Sequence, residues 1–236
     1  GITGGAITLV AGDGSGTTLR TGAVTATANG GTVLITAPTN TAFQMNQSYI
    51  AANHNPRLVF SDGTANVFNW ALNTGVNTNT TAFTAYTAVP IAGGGANTTA
   101  YNLTASQTQN TAAFVGRSVK LGSTLGSTQT WDLAGFNATL GGATTATPGA
   151  ILIDGTDAWN INTSGGVLRQ AHASVSGDLI FHQYSTGTVT VNAGIADNGT
   201  VAAATTTLVK AGTGLLVLAG TNTFTGPIIV NDGILS

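Results

Sequence analysis

From Phe114 onward the apolar positions come in short alternating runs, "SVKLGS", "TQTWDLAG", "NATLGG", "AILIDG", "AWNINTSGG", "DLIFHQY" and "TVTVNAG", broken by Gly, Ser, Thr and Asn. Alternation with period two puts every second side chain on one face of a strand. Trp131 with Leu133, and Trp159 with Ile161, then share a face. A strand and turn every 8 to 12 residues or so is common to sandwiches, barrels and solenoids. Turn chemistry separates these classes only partly. "SDG", "IDG" and "NDG" at Ser61, Ile153 and Asn231 fit tight hairpins, which join longer alternating strands. Most other corners are Gly-Thr or Gly-Gly between very short strands, which suits a chain that coils and lays each strand beside its counterpart one turn later. A parallel β-helix is the expectation, with a sandwich as the alternative.

The N-terminal half is less regular. "GAVTATANGGTVLITAP" reads as two strands closed by Pro38, and the Asn- and Thr-rich stretches between Thr39 and Thr111 read as loop insertions projecting from the same solenoid. "AFQMNQSYIAAN" fits a short helical turn. A separate N-terminal module is the alternative, but no linker-like boundary marks it, so residues 1–236 are expected to form a single segment.

Composition sharpens this picture. Only 6% of residues are charged and Glu is absent, which removes good helix formers and leaves Thr and Val to favour strands. At 42% hydrophobic the chain can bury a sizeable core. A net charge of −2 with no basic stripe argues against nucleic acid as a partner. There is no Cys, and no apolar run reaches the roughly 18 residues needed to span a bilayer as a helix.

The most distinctive stretch is "LVKAGTGLLVLAGTNTFTGPIIVNDGIL", residues 208–235. Lys210, Gly212, Gly214, Leu216, Leu218, Gly220, Asn222, Thr223, Thr225 and Gly226, followed by Val230, Asn231, Gly233 and Leu235, reproduce the spacing of one repeat, with Phe224 at its aromatic position. The stretch resembles the autotransporter-associated β-strand repeat, the passenger-associated unit of bacterial surface proteins. Pro227 departs from that pattern and removes a backbone donor before the next strand. The resemblance implies a right-handed parallel β-helix, exported to the cell surface as part of a larger chain. Within the unit, Leu216 and Leu218 point into the column. Gly212, Gly214 and Gly226 are expected to take positive φ at corners. Asn222 is expected in the left-handed region or in an amide stack, and Phe224 as a core or corner plug.

Chemistry is sparse. β-Helical enzymes need clustered carboxylates. The nearest arrangement is "IDGTDAW", with Asp154, Asp157 and, further on, Arg169, which reads more simply as turn capping. Asp13 in "AGDGSGTT" lacks the repeated acids of a calcium loop. His54, His172 and His182 have no third ligand at metal spacing, although His172 and His182 can be placed on one face. Trp70, Trp131 and Trp159 with Tyr49, Tyr86, Tyr101 and Tyr184 are either core or a sugar-stacking platform. Asn46, Asn79, Asn97, Asn102 and Asn137 stand in Asn-x-Ser/Thr, read as a reflection of composition. No catalytic residue, metal or cofactor is expected.

The expected function is a non-enzymatic, extracellular structural or adhesive segment, a stalk or filament block, whose partners are copies of itself, end to end or laterally, and a glycan or other cell-surface ligand. A carbohydrate-binding or carbohydrate-cleaving β-helix and a viral fibre are the alternatives. Rungs of roughly 20 to 25 residues would give about ten rungs, near 50 Å at about 4.8 Å each. The sequence opens in strand-like residues and stops at "NDGILS" in mid-pattern, so continuation at both ends is expected.

Overall fold

The computed structural model describes residues 5–8, 16–21, 30–38, 40–45, 54–75, 78–142, 147–198 and 204–236, and every regular element among them is a strand. From Gln107 onward the chain coils. Gln107–Thr108, Gln129–Asp132, Trp159–Asn162, Val189–Val191, Leu215–Leu218 and Ile234–Leu235 form one six-stranded sheet, parallel throughout. A second, larger sheet has two arms that share the long strand Phe114–Ser123. One arm continues through Ala138–Leu140, Val167–Gln170 and Gly194–Ile195. The other continues through Gly149–Gly155, Gly177–Gln183, Thr206–Ala211 and Ile228–Val230. Successive turns of chain thus contribute one strand to each of three faces, except the last, which has no strand between Leu215–Leu218 and Ile228–Val230; this is the parallel β-helix that the short strands and small corners predict.

Register sets the size of a rung. Trp159 lies beside Gln129 and Val189, each 30 residues away, whereas Leu215 lies beside Ile234, a step of 19. The rungs are therefore longer than the expected 20 to 25 residues in the middle of the coil and at the short end of that range at residues 208–236, where Leu208 lies beside Ile228. Six strands in the six-stranded sheet make five steps, about 24 Å of stack, about half the expected height, chiefly because the residues before Gln107 add no strand to this sheet. The extra residues of the long rungs lie in the connections between faces, where they carry no apolar alternation from which to count.

Inside the coil the alternation is realised as ladders. Trp131, Ile161 and Val191 are in register, as are Trp159, Val189 and Leu216, and all are buried in one core with Phe114, Leu121 and Phe181. Fully burying side chains of this size contributes about 1.5–3 kcal/mol each.

The N-terminal half also contains a parallel stack. Gly5–Thr8, Val33–Thr36 and Leu58–Ser61 pair in parallel, as do Thr17–Thr21 and Thr41–Met45, around Ile35, Phe43, Met45 and Phe60. Antiparallel strands Asn69–Leu72 and Thr81–Ala82 then extend the first of these sheets. Thr41–Met45 is a strand where a helical turn was expected; its inward Phe43 and Met45 explain the preference, and the rest of that expectation lies outside the described residues. The smaller stack packs on the outer face of the larger one. Val59, Trp70 and Phe83 meet Ala150, Leu152, Ile180, Tyr184 and Val209, the outward positions of the arm whose inward positions fill the main core. That is why Gly149–Gly155 is buried on both faces.

Candidate functional site

The repeat residues at 208–235 are placed first by their backbone. Lys210 is in register with Phe181 and is fully buried. Its Nζ donates to three carbonyls, Ala211 (3.1 Å) and Gly212 (2.5 Å) of its own corner and Asp232 (3.0 Å) of the next. Burial lowers its pKa to about 8, against the pull of nearby Asp232. Gly212 and Gly233 have φ of 81° and 74°, and a Cβ on Gly233 would sit 2.7 Å from the Lys210 ammonium. Gly214 and Gly226 do not take the expected positive φ. They are needed for space instead: a Cβ on Gly214 would lie 2.8 Å from the Gln183 amide, and one on Gly226 would collide with the Thr206 carbonyl.

Asn222 does not take a positive φ; its Oδ1 accepts the Ile195 amide of the rung before (2.9 Å). Leu216 is in the main core, and Leu218, Phe224 and Leu235 pack against it. Thr223 bonds through its amide to Ile195 O (2.8 Å), and Asn231 donates to Gly30 O and Thr32 Oγ1 of the smaller stack. Asp197, which no motif flags, joins Thr206 N (2.6 Å) to Thr225 N and Oγ1 (3.0 and 2.8 Å).

The candidate chemical groups disperse. Asp157 caps the loop after Ser123, accepting from Ser123 Oγ (2.7 Å), Leu125 N (2.8 Å) and Gly126 N (3.0 Å), and the Ser123 bond leads the lowering of its pKa. Arg169 lies on another face, donating to Thr139 Oγ1 (3.1 Å). Asp154, Asp157 and Arg169 therefore form no common centre. His172 folds back on its own turn, accepting from Ser174 and Val175 amides, whereas His182 is buried between the stacks with Nε2 at 2.9 Å from Pro56 O, so the two share no face. His54 is buried in the same junction, 2.7 Å from Ser118 Oγ. Trp131 and Trp159 fill the main core and Trp70 the junction, so the tryptophans form no outward platform. Asn137 Oδ1 accepts from Val167 N (3.0 Å). Asp13, Asn46 and Tyr49 lie outside the described residues. Among the described residues no group of three acids or histidines is placed to hold a metal.

One constellation was not legible from spacing. At the edge of the junction, Asn66, Asn69, Tyr86, Asn102, Lys120 and Asp154 line a cleft of about 680 Å³. Lys120 points outward from the alternation of Val119 and Leu121, and its Nζ meets Asp154 Oδ2 (2.9 Å), Asn69 Oδ1 (2.9 Å) and Phe68 O (2.6 Å). The Tyr86 hydroxyl donates to the same Asn69 oxygen (3.2 Å). Asp154 also accepts Phe68 N (3.0 Å). Burial raises its pKa, opposed by Lys120. Deeper in the junction a second ion pair, Arg57 to Asp178 (2.6 Å), holds the Gly30 amide on the same carboxylate (2.7 Å).

Comparison with known proteins bears on the repeat. The family model described as the passenger-associated-transport-repeat matches residues 208–236. The chain is 37% identical over 108 residues to the adhesin BmaC autotransporter of Brucella suis biovar 1 (strain 1330), a stretch that is 45% of this chain and 3% of that protein. The chain thus spans a small fraction of this relative's length. No solved structure matches the chain. Residues 208–236, with Lys210 bridging two corners and Asn222 bridging two rungs, match the passenger-associated repeat found in autotransporters.

Proposed function

We propose that the chain is a non-enzymatic structural and adhesive segment of a larger bacterial surface protein. The autotransporter-type repeat and the adhesin relative give it an extracellular, cell-surface location. The observation that carries the structural reading is that the polar side chains of the repeat are engaged in joining one rung to the next, Lys210 and Asn222 above all. Such a coil displays and bears load rather than turning over a substrate. The coil is taken as right-handed, in line with the general hand of crossovers between parallel strands. Low charge leaves little repulsion against contact between copies, end to end or side by side.

Single chains pulled by their ends should resist in a series of force peaks, and polysaccharides incubated with the chain should stay intact. Cleavage that disappears in Asp154→Asn would replace this reading with the enzymatic one. The cleft with its three Asn and Tyr86 supports a second, narrower reading as a glycan contact. Binding on a glycan array that is lost in Asn66→Ala with Asn102→Ala would favour it.

A further inference from the structure

Three reactive groups meet at the junction of the two stacks, and they come from distant parts of the chain: an amine, a carboxamide and a carboxyl. Lys120 Nζ is within 2.9 Å of both Asn69 Oδ1 and Asp154 Oδ2, and the Tyr86 hydroxyl donates to that same carboxamide oxygen. The Lys120 and Asp154 side chains are only 15% and 6% exposed. Gly122 leaves the carboxylate its room, because a Cβ there would collide with Asp154 Oδ1. We propose that Lys120 and Asn69 condense into an intramolecular isopeptide bond, with Asp154 as the proton carrier, fastening the smaller stack covalently to the solenoid.

The chemistry balances without oxidant or cofactor. The Asp154 carboxylate takes a proton from the Lys120 ammonium, and the neutral Nζ attacks Cγ of Asn69. A C–N bond forms, and the charge that develops on Oδ1 is met by the Tyr86 O–H, as in an oxyanion hole. Asp154 then gives its proton to Nδ2, the Cγ–Nδ2 bond breaks, and ammonia leaves, carrying off the second Nζ proton as ammonium. Asp154 ends as a carboxylate, so it acts catalytically. Fixed proximity supplies what free amines and amides lack in water, where effective molarities in well-oriented pairs reach about 10⁵ M or more. Burial favours the neutral acid form that the proton relay requires.

The test is the intact mass of the purified 236-residue chain, with peptide mapping. The expected chain is lighter than its sequence by one ammonia and yields one branched peptide joining the segments around Asn69 and Lys120. Lys120→Arg, which keeps the positive charge, Asn69→Ala and Asp154→Asn should all return to the sequence mass. A folded, protease-resistant wild-type chain at full sequence mass would overturn the proposal. So would an ammonia loss mapped to a succinimide at Asn29-Gly30 or Asn198-Gly199, or a water loss joining Lys120 to Asp154 instead.

Discussion

A fully buried lysine is costly unless its protons are used, and Lys210 uses all three on carbonyls of two successive corners. The repeat pattern marks this residue in the sequence. Its role does not show there, because the acceptors are backbone atoms, one of them 22 residues away. Lys210→Met should leave these carbonyls without their donor and cost about 1–3 kcal/mol in denaturant unfolding; an unchanged midpoint would contradict the bridge. The histidines give a pH signature. Burial lowers His54 to about 3 and His182 to about 4 from 6.5. Between those values and 6.5 the unfolded chain binds protons that the folded one does not. Stability should therefore be full above pH 6.5 and fall as the pH is lowered toward 4, by up to about 2 kcal/mol per ring near pH 5. Melting scans across this range check the slope, and His182→Gln should flatten it.

At the scale of elements, the strands from Phe114 onward were legible because each alternates around a single core. The inward places of Trp131, Leu133, Trp159 and Ile161 follow directly. Rung length was not legible, since it is set by connections such as residues 171–176, between Val167–Gln170 and Gly177–Gln183, which carry no strand alternation to count. Corners are where a single methyl group matters. Gly233 has φ of 74° and its Cβ would run into Gly212 O and the Lys210 ammonium, whereas Gly126 has φ of 78° with nothing near. Gly126→Ala should cost only the left-handed backbone, about 1 kcal/mol. Gly233→Ala should cost clearly more, and equal losses in parallel denaturation curves would show that the corner is not tightly packed.

At the scale of the molecule, the sequence gives no sign that the two stacks lie side by side. The outward residues of Gly149–Gly155, Ala150 and Leu152, look like ordinary apolar residues in an apolar run, and their partners Val59, Trp70 and Phe83 are far away in sequence. The same distance hides the meeting of Asn69, Lys120 and Asp154. With that shared interface, the chain is expected to unfold in one calorimetric transition; two separable transitions would mean that the stacks fold independently. The central claim is the parallel coil itself, and the absence of Cys makes it directly testable. Thr130, Asn160 and Thr190 occupy equivalent half-buried places on three successive rungs. Paired cysteines at 130 and 160 should close a disulfide under mild oxidation, while cysteines at 130 and 190, about 9.6 Å apart, should stay reduced. Ready closure of the 130–190 pair with no bridge between 130 and 160 would contradict the coil.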